Sequence, residues 1–207
     1  MTHNLAHGDN CYAMTGSLTE DVEQLRQRLD SLPQPQVEPP LIVVSGLPGT
    51  GKSFFCRKLV ERLPFLILSS DALRKILFPS PQYEENESKR LFSACHALIE
   101  ELLRKGIPVI FDATNLLERH REYLYRAAKR AEAKLILVYV EAPSEVVRQR
   151  LLAREKSAVP QDDSEADWDV YNKMKPRRQR ISRSHFVVDT SQDITPVIDK
   201  IVRAAKR

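Results

Sequence analysis

The sequence predicts an α/β fold in which helices cover both faces of a parallel β-sheet. From residue 41 onward, short apolar runs alternate with longer amphipathic segments, as buried strands and covering helices do. The runs that predict strands are 41–45, 65–69, 108–111, 135–140 and 185–188. The segments that predict helices are 52–63, 71–77, 85–105, 116–131, 144–153, 167–180 and 194–206.

Length and composition favour one globular domain over a disordered chain. The 207 residues are 42% hydrophobic and 29% charged, and the net charge of +4 permits a polyanionic partner without requiring one. Three widely spaced cysteines (Cys11, Cys56 and Cys95) argue against a disulfide framework or a zinc site and fit a reducing compartment. Because no apolar run approaches the roughly 20 residues that span a bilayer and no secretory signal is visible, we expect a cytoplasmic protein without a membrane partner. The oligomeric state is left open.

The first 40 residues differ in character from the rest of the chain. Residues 1–16 are polar and aperiodic, and we expect a mobile tail. Residues 17–32 carry apolar positions at helical spacing after a capping residue, Ser17 or Thr19, and predict a short helix. A proline-rich spacer follows at 33–40. The expected organisation is therefore an N-terminal extension, 1–40, and one main domain, 41–207.

A glycine-rich motif directly follows the first predicted strand. It reads Gly46-Leu47-Pro48-Gly49-Thr50-Gly51-Lys52-Ser53, which is the Walker A pattern in its required position between a strand and a helix. Its glycines let backbone N–H groups surround a phosphate, and the following helix directs its positive end at the same anion. Lys52 adds a charge for the outer phosphates, and the Ser53 hydroxyl is a ligand for Mg²⁺. The motif predicts nucleoside-triphosphate binding.

A carboxylate follows the second predicted strand. Ligands of open parallel sheets bind at the carboxyl ends of the strands, so Asp71 is expected beside the glycine-rich loop. There it has two interpretations: a general base that accepts the proton of an incoming hydroxyl, or the cap of the helix at 71–77. Arg74, one helical turn later, is a candidate ligand for an anionic group of the acceptor.

The third predicted strand also ends in a carboxylate. Asp112 after an apolar run is the Walker B pattern, in which the carboxylate supports Mg²⁺ or its waters. No glutamate follows directly, and this tilts the prediction away from a hydrolytic motor.

Three arginines lie on or just after the helix predicted at 144–153. They are Arg148, Arg150 and Arg154, of which Arg150 and Arg154 are four residues apart and share one helical face. On a mobile lid, two guanidinium groups would neutralise charge on a transferring phosphoryl group. The alternative is a solvated basic face paired with nearby glutamates.

Together these segments resemble the branch of P-loop kinases that includes polynucleotide 5′-hydroxyl kinases, zeta-toxin-like kinases and related AAA_33-type predicted kinases. The resemblance covers about residues 41–190 and rests on the segments GLPGTGKS, SSDALR, FDATN and RQRLLAREKSAVP. It implies a kinase-type three-layer sandwich with sheet order 2-3-1-4-5, a lid at about 148–166, and the use of ATP with Mg²⁺.

The resemblance also implies roles for individual residues. The residues implied to hold the nucleotide are Gly46, Leu47, Pro48, Gly49, Thr50, Gly51, Lys52 and Ser53. The residues implied to act in catalysis are Lys52, Asp71, Arg150 and Arg154. The residues implied on the acceptor side are Arg74, Asp112 and Asn115, and the implied Mg²⁺ ligands are Ser53 and Asp112.

The expected reaction is transfer of the γ-phosphoryl group of ATP to a hydroxyl, with the 5′-OH of DNA or RNA as the leading acceptor. The alternatives are a small-molecule kinase acting on a nucleotide sugar, an antibiotic or a metabolite, and a nucleotide-dependent switch ATPase. A switch needs neither the base Asp71 nor the paired lid arginines.

Two further groups of residues remain open from sequence. His96 and His120 lie on predicted helices without a further ligand at metal spacing, so packing is favoured over metal binding. A basic run either lines a nucleic-acid path or is a solvated helix end. Its members are Lys173, Lys175, Arg177, Arg178, Arg180 and Arg183.

Overall fold

The computed structural model describes residues 17–29, 31–156 and 164–206. The tail expected at 1–16 and the middle of the expected lid lie outside these residues. The strands are β1 (Pro40–Ser45), β2 (Leu66–Ser69), β3 (Val109–Asp112), β4 (Lys134–Glu141) and β5 (Phe186–Asp189). The helices are α1 (Leu18–Arg26), α2 (Lys52–Val60), α3 (Ser70–Leu77), α4 (Glu85–Arg104), α5 (Glu118–Arg130), α6 (Ser144–Lys156), α7 (Trp168–Met174) and α8 (Thr195–Lys206). No helix within the described ranges is long and apolar enough to cross a bilayer.

The five strands form one parallel sheet in the order β2-β3-β1-β4-β5, which confirms the predicted fold class and strand order. The central strand, β1, is buried at all six positions. Leu41 and Val43 belong to the hydrophobic core on one face of the sheet, and Ile42 and Val44 belong to the core on the other face. This alternation is the period of two that a strand imposes on its side chains.

Each face of the sheet is covered by different helices. On one face, α3, α4 and α5 supply buried side chains around Phe111 of β3. On the other face, α2 and α8 pack around Ile110 of the same strand. A third, smaller cluster joins α6 and α7 to Leu47 of the glycine-rich loop, so the helical cover of the loop is tied down by apolar contact.

Helix α1 is built into the core of the main domain. Ser17 and Glu20 form a reciprocal capping box at its first turn, with N···O distances of 2.8 and 3.2 Å. Leu25 is fully buried among residues of α3 and α4. Asp21, only 2% exposed, accepts two hydrogen bonds from Arg90 of α4 at 2.7 and 2.5 Å. Although α1 precedes the proline-rich spacer, it therefore packs in the same hydrophobic core as the main domain.

Helix α7 is shorter than the sequence predicts. The amphipathic pattern predicts a helix over 167–180, but α7 ends at Met174 and a single 3₁₀ turn, Lys175–Arg177, follows. Pro176 explains the difference, because its ring clashes with the carbonyl four residues earlier and it has no N–H to donate. The chain then runs without regular structure from residue 178 to β5.

We expect Leu25→Ala to lower the free energy of unfolding by about 2–5 kcal/mol, because it leaves a cavity in the shared core. Leu18→Ala is the matched control on the same helix, since Leu18 is 51% exposed. Urea denaturation of both variants measures the difference. Equal stability of the two would show that α1 does not contribute to the core.

Candidate functional site

The loop between β1 and α2 is shaped by glycines in the left-handed region. Gly49 has φ +74° and Gly51 has φ +88°. A Cβ at Gly49 would lie 2.9 Å from side-chain atoms of Val147 and Leu151, and one at Gly51 would lie 3.0 Å from Thr190 Oγ1. Both positions therefore need glycine for conformation and for space. Left-handed backbone conformations of this kind let successive backbone N–H groups point at one anion.

The side chains of the loop are held by its own backbone. Thr50 Oγ1 donates to Leu47 O at 2.8 Å, and the Lys52 ammonium donates to the same carbonyl at 3.2 Å. Lys52 is the first residue of α2, so its charge lies at the positive end of that helix. This excess of positive potential suits a bound phosphate chain.

Two predicted metal ligands lie together at the edge of the sheet. Ser53 Oγ, in the first turn of α2, donates to Asp112 Oδ2, at the end of β3, at 2.7 Å. A hydroxyl and a carboxylate are hard oxygen donors, and Mg²⁺ in phosphate sites takes one or two such groups and completes its shell with water and phosphate. The donor set fits Mg²⁺. The described residues hold no group of three or more His, Cys, Asp or Glu that would make an all-protein metal cage.

Asp71 lies in the first turn of α3 and is not the helix cap. The cap of α3 is Ser69, whose Oγ accepts from Ala72 N at 3.4 Å. Ser69 is also the β2 residue paired with Asp112 in the sheet register. Asp71 therefore follows the strand end that adjoins Asp112, and it is partly exposed. The capping interpretation of Asp71 is wrong, and its carboxylate is left for another role.

Arg74 does not present its charge to an acceptor in this structure. It is 6% exposed and forms a buried ion pair with Glu87 of α4, while its Nη2 donates to Ser88 Oγ at 3.2 Å. Although burial raises the pKa of Glu87, hydrogen bonds from Gln82 N–H and from Arg74 outweigh it and lower that pKa. Moving Arg74 to an acceptor would leave the buried Glu87 carboxylate without its partner, which is costly. The arrangement therefore opposes the contact between Arg74 and an acceptor that the sequence predicts.

Asn115 occupies a supporting position in the turn after β3. It is 3% exposed, its φ is +44°, and its Nδ2 donates to Val44 O of β1 at 2.8 Å. Ser45 Oγ contacts the carbonyls of Thr114 and Asn115, both at 3.1 Å. The geometry thus gives Asn115 a role in joining β1 to β3.

The two lid arginines have different partners. Arg150 of α6 donates to Thr190 Oγ1 at 2.7 Å and to Thr190 O at 2.9 Å, and Arg154 donates to the carbonyl of Ala166. Thr190 Oγ1 also donates to Thr50 O of the glycine-rich loop at 2.7 Å. Thr190 therefore links the lid helix to the loop. Sequence reasoning did not single out this residue.

Tyr83 is a second residue that sequence reasoning missed. It lies between α3 and α4 with φ +58° and is 46% exposed, and the Arg74 guanidinium lies 4.9 Å from its ring centroid. Burial of the hydroxyl and the negative charges of Glu165 and Asp71 raise the pKa of Tyr83 to about 12. Tyr83 therefore lies within electrostatic range of Glu165 and Asp71, and nothing in the sequence pattern marks it.

The two helical histidines pack in an aromatic cluster. His96 stacks on Tyr123 with ring centroids 5.4 Å apart, and His120 stacks on Phe92 at 6.1 Å. Burial, and secondarily the neighbouring His120, lowers the pKa of His96 to about 4. His96 Nε2 is buried without a hydrogen-bond partner, which is the environment of a neutral packed imidazole.

A family model described as an AAA domain (AAA_33) matches residues 41–181 of this chain. The match begins in β1 and runs through the glycine-rich loop, Asp71, Asp112 and the lid helix.

Two curated relatives share part of the sequence. One is an L-seryl-tRNA(Sec) kinase of Methanococcus maripaludis, 29% identical over 119 residues, which are 55% of this chain and 46% of that protein. The other is a Protein KTI12 homolog of Mus musculus, 28% identical over 173 residues, which are 80% of this chain and 47% of that protein. The chain thus spans about half the length of the curated relatives it matches.

Among solved structures, the fold is similar to that of Chaetomium thermophilum Kti12 in complex with ADP-AlF3. The TM-score is 0.66 at 23% identity, and the similarity covers 80% of this chain and 99% of that one. At this level of identity the similarity is one of fold.

We expect Gly51→Ala to weaken binding of a nonhydrolysable ATP analogue at least tenfold, because the new Cβ strains the loop and meets Thr190. Gly106→Ala is the control: Gly106 also has a positive φ of +79°, but it follows α4 at the opposite edge of the sheet. The control should lose stability and keep its affinity. Calorimetric titration compares the two, and unchanged affinity in Gly51→Ala would contradict the assigned loop geometry.

We expect His96 to make the protein less stable in acid. Its folded pKa of about 4 lies below the unfolded value near 6.5, so the unfolded state binds the extra proton between these values. Stability should rise with pH across that window, by about 3 kcal/mol from this residue as an upper value. Chemical denaturation at several pH values from 4 to 7 gives the free energy of unfolding as a function of pH. This free energy should rise less steeply with pH in His96→Leu than in the wild type, and an equal rise would show that His96 does not titrate in this way.

Proposed function

The chain belongs to the AAA domain family AAA_33, and from this membership and the site geometry we propose that it is an ATP-dependent kinase acting on a hydroxyl. One observation carries the proposal. The Asp71 carboxylate is free of the capping role and follows the strand end next to Asp112, which itself bonds Ser53 of the phosphate loop. A base for the acceptor and a site for the triphosphate thus share one edge of the sheet.

The triphosphate would be held by the loop backbone and its lysine. Loop N–H groups and the start of α2 would bind the β-phosphate, and Lys52 would exchange its contact to Leu47 O for the outer phosphates. Ser53 and Asp112 would hold Mg²⁺, which on binding neutralises charge on the β- and γ-phosphates. The ADP-AlF3 in the Kti12 structure supports nucleotide binding by this fold.

Asp71 would orient the acceptor hydroxyl and accept its proton as the phosphoryl group is transferred. Arg150 and Arg154 would exchange the oxygen atoms of Thr190 and Ala166 for phosphate oxygens, with which they form stronger, charge-assisted bonds. The same movement would exclude water and so favour transfer over hydrolysis.

The acceptor we propose is a hydroxyl carried by a nucleic acid, first of all the 5′-OH of DNA or RNA. The name of the Methanococcus maripaludis relative describes a kinase that acts on seryl-tRNA, which is an acceptor attached to RNA. This similarity supports the class of acceptor and leaves the position of the hydroxyl to experiment.

A small-molecule hydroxyl is the second candidate, and the position of Arg74 favours it. With its guanidinium buried against Glu87, no arginine from α3 is available for a phosphate next to the reacting hydroxyl. A neutral acceptor would not need one.

We expect the protein to transfer ³²P from the γ-position of ATP to 5′-OH oligonucleotides, and Lys52→Ala to abolish this transfer. Asp71→Asn should lower kcat by about 10²–10⁴, the usual contribution of a general base. Lys58→Ala, on the exposed face of α2, and Asp199→Asn are the matched controls that should retain activity.

The outcomes separate the parts of the proposal. Full activity of Asp71→Asn at every pH would show that the base is misassigned. Labelling of small hydroxyl compounds but not of oligonucleotides would show that the acceptor is a small molecule, which is the second candidate. ATP hydrolysis without any labelled acceptor would show that the protein is not a kinase.

A further inference from the structure

A cluster of exposed cations follows helix α7. Between residues 170 and 188 the chain has six basic residues and no Asp or Glu, whereas the whole chain has a net charge of +4. The rest of the chain therefore carries a small net negative charge. We call this surface the basic ribbon, and its members are Lys173, Lys175, Arg177, Arg178, Arg180 and Arg183. All six are exposed.

A solvated helix end accounts for only half of the basic ribbon, namely Lys173, Lys175 and Arg177. α7 ends at Met174 and the 3₁₀ turn at Arg177, so Arg178, Arg180 and Arg183 lie beyond both. Favourable interaction with a helix dipole is confined to the last turn and cannot explain charges that lie beyond it.

The ribbon cations also lack acidic partners, in contrast to many basic residues elsewhere. Arg26, Arg90, Arg121 and Arg130 each pair with a carboxylate. Within the ranges that the structure describes, none of the six ribbon cations forms an ion pair. Their charge is therefore available to an external anion.

Where the ribbon side chains do make contacts, the partners are aromatic rings and hydroxyl groups. Arg183 lies 4.3 Å from the centroid of the Tyr125 ring. Arg178 donates to the Tyr139 hydroxyl at 2.6 Å and lies over the same ring. These contacts orient the guanidinium groups without cancelling their charge.

The backbone of the ribbon is fixed to the start of α5. Gln179 N donates to Leu116 O at 3.0 Å, and its Oε1 accepts from Glu118 N at 2.7 Å. Arg121, which is 1% exposed, donates to the carbonyls of Gln179 and Arg180 at 3.2 and 3.1 Å. A surface held in this way loses little conformational entropy when it binds.

The ribbon starts beside the phosphate-transfer site. Leu116, to which it is bonded, follows Asp112 by four residues, and Leu116 and Tyr171 share an apolar cluster with Leu47 of the glycine-rich loop. Lys175 contacts Ser144 Oγ at 2.9 Å at the start of the lid helix. The ribbon therefore lies next to the starts of α5 and α6, near the edge of the sheet that carries the site.

We propose that the basic ribbon binds the sugar-phosphate backbone of a single-stranded nucleic acid and so directs its end to the site. The proposal rests on the proposed function, which it deepens by naming the surface that holds the acceptor. Arg178, Arg180 and Arg183 lie on a segment without regular structure, where exposed cations can contact successive phosphates of a polynucleotide. An anionic membrane fits less well, because no large hydrophobic side chain is exposed between residues 173 and 183.

The test compares two matched variants of the full chain. Arg177→Gln/Arg180→Gln removes two exposed ribbon charges whose side chains form no hydrogen bond or ion pair with other described residues. Lys200→Gln/Arg203→Gln removes two exposed charges from α8, on the opposite face of the sheet. Binding of 3′-labelled 20-nucleotide RNA and DNA with a 5′-OH is measured by fluorescence anisotropy at several salt concentrations, and ATP-analogue affinity serves as the folding control.

We expect the ribbon variant to bind both oligonucleotides at least tenfold more weakly at low salt and the α8 variant to bind like the wild type. Since each phosphate contact on a single strand adds about 0.7 to the slope of log K against log salt, the slope should fall by about 1.4. The affinity for the ATP analogue should be unchanged in both variants.

Equal oligonucleotide affinity of the ribbon variant and the wild type would overturn the proposal, as would an equal loss in the α8 variant. Binding to phosphatidylserine vesicles but not to either oligonucleotide would overturn it in favour of a membrane. If oligonucleotides bind through the ribbon but are never phosphorylated, the ribbon assignment stands and the proposed acceptor is wrong. If the ribbon variant phosphorylates oligonucleotides with an unchanged KM, the proposed function stands and the ribbon assignment is wrong.

Discussion

The central strand β1 is the constraint on which the candidate site depends. It is buried at all six positions and is paired in parallel with β3 on one side and β4 on the other. Two parallel neighbours require all three strands to end at the same edge of the sheet. The loop that leaves β1, the carboxylate that ends β3 and the lid that follows β4 are therefore brought together by sheet register alone.

The burial of β1 also gives the loop a fixed base. Ser45 and Gly46 bond the turn after β3, through Ser45 Oγ and Gly46 N to Thr114 O, both at 3.1 Å. In the same turn, Asn115 Nδ2 donates to Val44 O of β1 and so adds a further bond between the turn and this strand. The start of the phosphate loop is thus hydrogen-bonded to the turn after β3 as well as being continuous with β1. These bonds fix the base of the loop without a ligand. Such preorganisation lowers the cost of ordering the site on binding.

Helix α6 is joined to the glycine-rich loop through a neutral residue. Thr190 connects Arg150 with the carbonyl of Thr50, and it also bonds Glu141 O at the end of β4 through its own N–H at 3.0 Å. Neutral oxygen atoms hold a guanidinium less strongly than phosphate oxygens do. The arrangement therefore keeps Arg150 near the loop while leaving it able to change partners, which is what the proposed transfer step requires of it.

The sequence by itself determined the features that depend on local pattern: the α/β class, the five strands and the glycine-rich loop between β1 and α2. Apolar runs and motif spacing are local, and the parallel sheet then placed Asp71 and Asp112 at the same edge. Only the tertiary structure decided which partners the polar side chains around the site bind. It placed Arg74 against Glu87, turned Asn115 onto β1, gave the cap of α3 to Ser69 and brought Thr190 to Arg150 across 40 residues of chain. These contacts join residues that are distant in sequence or compete for one partner, so no spacing rule records them. Burial makes the contacts of Arg74 with Glu87 and of Asn115 with Val44 costly to leave unmade.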